Sequence, residues 1–152
     1  MRSSADRTVL IWGTLLSVCL LSCGDARLRS EARAFLARYE AIDHREKGVL
    51  REQKVRALEQ LVLTEPEVQG VREHCVAGHN ALLTSERSHE HAAQQLDRAV
   101  AASPEGAPLS AQATEQIRAE IEQADGALGR ARESLRQCES QARGLSLRFG
   151  KL

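Results

Sequence analysis

The sequence predicts an all-α fold, an antiparallel three-helix bundle or coiled-coil hairpin behind an N-terminal leader. Three observations carry this. Only three prolines occur in 152 residues, Pro66, Pro104 and Pro108, and they divide the chain after its leader into three stretches of similar length. Each stretch is rich in Ala, Leu, Glu, Gln and Arg, residues that lose little side-chain freedom in a helix. Aromatics make up 3% of the chain, too few for the large-ring core of a thick globular fold. The length predicts one domain rather than a multidomain enzyme. Lys plus Arg equals Asp plus Glu at 21 each, which removes the electrostatic drive for binding nucleic acid.

The first segment reads as a targeting device. Arg2 and Arg7 form a positive start, and residues 8–21 (TVLIWGTLLSVCLL) form an apolar run of the length expected for export. A membrane span needs about 20 apolar residues, so the run is short for an anchor. It ends in Leu20-Leu21-Ser22-Cys23, followed by Gly24 and Asp25. This resembles the lipobox of bacterial lipoproteins: an aliphatic residue three before the cysteine, a small residue just before it, and the cysteine itself. Cys19 follows Val18, a poorer small residue. The resemblance implies that residues 1–22 are removed by signal peptidase II and that Cys23 is diacylated with palmitate-like chains. Two or three acyl chains give durable anchoring where one gives marginal binding. Glycine after the anchor cysteine implies, by the same resemblance, an outer-membrane lipoprotein facing the periplasm.

Residues 23–152 are then expected to form a single helical domain, with helices over about 26–63, 65–102 and 110–147. Its charges number 19 basic and 20 acidic, and its cysteines are Cys23, Cys75 and Cys138. With Cys23 lipidated, one pair remains in an oxidising compartment. Each helix of roughly 38 residues would be about 57 Å long.

Helix one repeats Leu28, Phe35, Ile42 and Val49 every seven residues, with Ala32 and Tyr39 between. The stripe slips past Gly48 and continues in Val55, Leu58 and Val62, which predicts a bend or stutter there. Helix two is expected to start with Thr64 as N-cap, Glu67 as its capping-box partner, Leu63 and Val68 as a hydrophobic staple, and Pro66 in the first turn. Its apolar seam reads Val68, Cys75, Leu82, His89 and Leu96. The run from Ser103 to Pro108 is a loop, with Ser110 as N-cap of helix three. In that helix Ile117, Ile121, Ala124, Leu128, Ala131, Leu135, Cys138, Ala142 and Leu145 alternate by four and three, a heptad seam.

The cysteines tie the last two helices together. Facing residues of an antiparallel hairpin have numbers with a constant sum. Cys75 and Cys138 sum to 213, which centres the turn between Gly106 and Ala107, inside the proline-flanked loop. The same sum pairs Val68 with Leu145, Leu82 with Ala131, His89 with Ala124 and Leu96 with Ile117. A Cys75–Cys138 disulfide is therefore expected, stabilising by about 4 kcal/mol through loop closure.

Candidate chemistry is sparse. His74, His79, His89 and His91 concentrate in helix two, and His79, Glu86 and His89 lie along one stripe. Imidazole and carboxylate suit zinc, but no HExxH or CxxC pattern occurs. No metal and no cofactor are assigned, and the stripe reads first as a polar layer facing the polar stretch Asp43-His44-Arg45-Glu46. Protonation of these histidines below about pH 6.5 is the route by which acid would loosen the bundle. Gly126 and Gly129 read as sites of close helix approach. No GxSxG or SxxK motif frames a nucleophile after the leader. The expectation is a noncatalytic structural or adaptor lipoprotein, held to the membrane by its lipid and presenting helical surface to an envelope protein. The alternative is a periplasmic metal-binding or chaperone-like stress lipoprotein using the histidine stripe.

Overall fold

The computed structural model describes residues 25–150 except 44, 105 and 106. The leader and Cys23 lie outside the described residues. Among those described the fold is all-helical, with four helices and no strand: α1 (25–40), α2 (Gly48–Glu59), α3 (Pro66–Ala102) and α4 (Ala111–Phe149).

The expected single helix over 26–63 is corrected to two helices joined by a loop over 41–47. Local chemistry explains the break. Asp43 Oδ1 accepts the backbone N–H of Arg45 at 2.9 Å, and the Asp43 carbonyl accepts that of Glu46 at 3.1 Å. This side-chain turn competes with the helical ladder. Gly48 then adopts φ +59°, a backbone conformation that only glycine enters freely. Residues 43–48 (DHREKG) hold no apolar side chain, so nothing rewards continuing the helix into the core. The chain doubles back: Arg27 near the start of α1 pairs with Glu65, just past α2.

The Glu31 carboxylate of α1 accepts the Thr64 N–H at 2.8 Å, the Thr64 hydroxyl at 2.6 Å and the Glu65 N–H at 2.9 Å. The start of α3 is thus capped from another helix. This corrects the expected Thr64–Glu67 capping box: the N-cap is Glu65, without a side-chain cap bond of its own. A carboxylate satisfies the free N–H groups and suits the positive end of the helix dipole. Pro66 stands in the first turn as expected. The Leu61 and Leu63 carbonyls, left over beyond α2, accept from Arg72 at 2.7 Å and Gln69 at 2.6 Å. Ser110 caps α4, accepting from Ala113 N–H at 3.1 Å.

The main core gathers at one end. Ala32, Phe35, Leu36 and Ile42 from α1 and its exit, Val55 and Leu58 from α2, and Leu63 meet Val68, Val71 and Cys75 of α3 and Cys138, Ala142 and Leu145 of α4. Phe35 and Tyr39 stack at 5.8 Å between ring centroids. Along the α3–α4 pair, Glu67 meets Arg148, Cys75 meets Cys138, Gly78 meets Leu135 and His91 meets Glu120, so partner numbers fall along α4 as they rise along α3.

The heptad seam expected for α3 holds at Val68 and Cys75 and then departs. Leu82 is only partly buried, and His89 and Leu96 are exposed; Ser85, Ser88 and Ala92 are buried instead. A helix of 3.6 residues per turn drifts about 20° per heptad against a seven-residue repeat. Over the length of α3 that drift moves the facing line onto other residues. On α4 the seam keeps Ala124, Ala131, Cys138, Ala142 and Leu145 buried and leaves Ile121 exposed.

Candidate functional site

The polar layer sits where α2 crosses α3. Arg51, in the first turn of α2, is 2% exposed, and its guanidinium pairs with Glu86 of α3. One residue along, Glu52 bonds Arg87 at 2.6 Å and Arg56 at 2.6 Å. The Arg87 hydrogen bond, opposed by partial burial and helped by both guanidinium charges, holds the Glu52 carboxyl below its ordinary value. A charge as deep as Arg51 is tolerated only with a close countercharge.

The histidine stripe does not converge. His79 is 1% exposed inside the bundle, Glu86 is committed to Arg51, and His89 is on the surface. Among the described residues no group of three or more His, Cys, Asp or Glu stands placed to hold a metal ion. The expected facing of this stripe by residues 43–46 is corrected. Glu46 is tied to Lys54 of α2, and Arg51 supplies the charge opposite Glu86. His44 lies outside the described residues. His91 points elsewhere, with Nδ1 2.8 Å from Glu120 Oε1 on α4.

Cys75 and Cys138 are bonded, with Cα atoms 4.8 Å apart and a sequence separation of 63. The expected close approach at Gly126 and Gly129 is corrected. A Cβ at Gly129 would meet nothing within 4 Å, and one at Gly126 only the Arg130 side chain at 3.6 Å. The tight crossing is at Gly78, one turn from the disulfide. No motif marks Gly78; only its position one turn after a seam cysteine could have singled it out.

The surface offers open grooves. One between α1 and α4 is floored by Leu36 and Ala142 and rimmed by Tyr39, Glu139 and Arg143. Burial, reinforced by Glu139, pushes the Tyr39 hydroxyl up. A second, of 440 Å³, runs between α3 and α4 past Gly70, His74, Gln141 and Gly144. No helix among the described residues is long and apolar enough to cross a membrane.

Exposed large apolar side chains occur at both ends of the molecule: Val62 and Leu147, 86% and 82% exposed, lie at the core end, and a second group lies on the far part of α3 and α4 and at the start of α2. Leu96 and Val100 of α3 are 42% and 58% exposed, Ile121 of α4 is 42% exposed, and Val49, where α2 begins, is 70% exposed. Comparison with protein-family models, curated proteins and solved structures finds no match to the chain.

Proposed function

We propose that the chain is a lipid-anchored envelope protein, held at a bacterial outer membrane through Cys23 and facing the periplasm, with a noncatalytic structural or adaptor role. In this reading the helices form an antiparallel bundle whose faces receive a protein partner. One observation carries it most: α3 and α4, stapled through Cys75–Cys138, run on past the cover of α1 and α2 and carry apolar side chains into solvent. Solvated leucine, valine and isoleucine on a two-helix projection suit a surface that is covered in use. A disulfide among the described residues, in a chain with a lipobox-like leader, supports an oxidising compartment. In this reading the short stretch from Cys23 to the described start of α1 at residue 25 sets the core end of the bundle near the lipid and the projection away from it.

Two measurements test this. Labelled palmitate is expected to enter the full chain expressed in a bacterium and to be lost with Cys23→Ala. Cross-linking in intact membranes is expected to trap a protein partner. A chain that takes up no lipid would end the anchoring reading. Hydrolysis of an envelope substrate by the purified soluble part would end the noncatalytic one.

A further inference from the structure

We propose that the α3–α4 projection is a docking surface for a basic amphipathic helix of a partner protein, which lies along the side that α1 and α2 cover lower down. This rests on the adaptor reading and names its surface.

The projection is defined by where the cover stops. The first turn of α2 meets α3 at Glu86 and Arg87. From there α3 continues through residues 88–102, about 22 Å of helix. Among the described residues of this stretch the fully buried ones, Ser88, Ala92 and Ala124, are small, while Ile117 is half-buried and Leu96, Val100 and Ile121 are exposed.

Their bearings place them together. At about 100° per residue, Leu96 and Val100 point between Ala92, on the α4-facing line, and Glu86, which faces α2. Ile121 lies 18 residues before Glu139, five whole helical turns, and so shares its bearing. Glu139 lines the groove against Tyr39 of α1. All three exposed side chains therefore continue the faces that α1 and α2 occupy lower down. Val49 stands at the ledge where that cover begins.

Charge selects the occupant. Residues 88–124 carry Glu90, Asp97, Glu105, Glu115, Glu120 and Glu122 against Arg98 and Arg118, a net charge of −4. The remainder of the chain from residue 23 carries 17 basic and 14 acidic residues, net +3. Two such projections would repel one another, which disfavours a second copy docked tip to tip. A helix with leucine-like anchors at i, i+3, i+4 and i+7 and lysine or arginine on its flanks suits both the exposed apolar side chains and the net negative charge of this stretch.

The test uses the disulfide-intact chain from residue 23 and a fluorescent helical peptide of about 15 residues, matched in length to the projection, with Leu at those spacings and Lys elsewhere. Its controls are a twin with Glu for Lys and a scramble of the same composition. Saturable binding by the Leu/Lys helix alone is expected, with methyl NMR shifts at Leu96, Val100 and Ile121. Leu96→Gln with Ile121→Gln is expected to weaken binding at least tenfold; both positions are exposed, so the fold is kept. Equal binding by the Glu twin or the scramble would overturn the proposal, as would binding that leaves those methyls unmoved or the absence of binding. Dimerisation of the chain alone, abolished by Leu96→Gln, would assign the face to a second copy and overturn it too. A partner cross-linked to another face would leave the adaptor reading standing while this proposal falls.

Discussion

Gly78 of α3 faces Leu135 of α4 so closely that a Cβ on the glycine would stand 2.8 Å from Leu135 Cγ and 3.0 Å from its backbone nitrogen. The leucine side chain can turn aside, but the backbone cannot, so the crossing would have to open. Gly78→Ala is expected to destabilise by about 1–3 kcal/mol, overpacking outweighing the helix-propensity gain. Gly70→Ala, where a Cβ meets nothing within 4 Å, is expected to stabilise by up to about 1 kcal/mol. Urea denaturation of both variants compares the two signs directly; a stabilised Gly78→Ala would refute the tight crossing.

Cys75 and Cys138 close most of α3, the connecting loop and most of α4 into one ring. Replacing both with alanine is expected to cost about 4 kcal/mol by loop entropy, a large share of the stability of a domain this size. Thermal melts of the oxidised chain and the double variant measure it. Equal melting temperatures would show that the bond does not constrain the unfolded chain.

Glu31 is a pH-sensitive contact. Partial burial opposes its charge, but the Thr64 hydroxyl and the N–H groups of Glu65 and Thr64, with Arg27 nearby, together hold its carboxyl below the ordinary value. Its folded pKa therefore lies under its unfolded one. The contribution to stability is complete above the unfolded pKa and is lost as pH falls through the folded one. Glu31→Gln is expected to lower stability at neutral pH by about 1 kcal/mol, the usual worth of a helix cap. The difference from the parent should close towards pH 3. A gap that persists unchanged in acid would mean that the carboxylate charge is not what caps α3.

Arg51 and Glu86 test how the buried charge is held. Arg51→Met alone strands a partly buried carboxylate and is expected to cost about 3 kcal/mol. Adding Glu86→Leu removes the stranded charge and should restore most of the loss, since apolar replacement of a whole buried pair is often neutral or better. Chemical denaturation of the single and double variants measures the coupling. Additive losses would show that the two residues act independently.

Much of this architecture is legible in residue spacing. The prolines mark the helix boundaries because proline removes a donor and fits the first turn, and the sum of the two cysteine numbers locates the turn between α3 and α4. Three features are not legible that way. The break between α1 and α2 depends on Asp43 bonding its own neighbours and on Gly48 taking a positive φ, while the apolar stripe predicts only a bend. The cap on α3 comes from Glu31, thirty-three positions before Thr64, and no local motif reports a distant partner. The seam past Leu82 is misplaced because a seven-residue count does not follow the true helical period, so His89 and Leu96 read as core where the fold exposes them. The candidate surface came to view only with that correction.

The fold-back of α1 on α2 is what bares the projection, and the distance between Ser30 and Val62 tests it most directly. Both positions are on the surface. Spin labels introduced there as unnatural amino acids, with the native disulfide intact, report their separation by pulsed electron resonance. One continuous helix would place them about 48 Å apart at 1.5 Å per residue. Glu31 bonded to Thr64 requires the two labels to stand within about 25 Å once their linkers are included. A single short distance is the predicted result; a distribution centred near the long value would contradict the account.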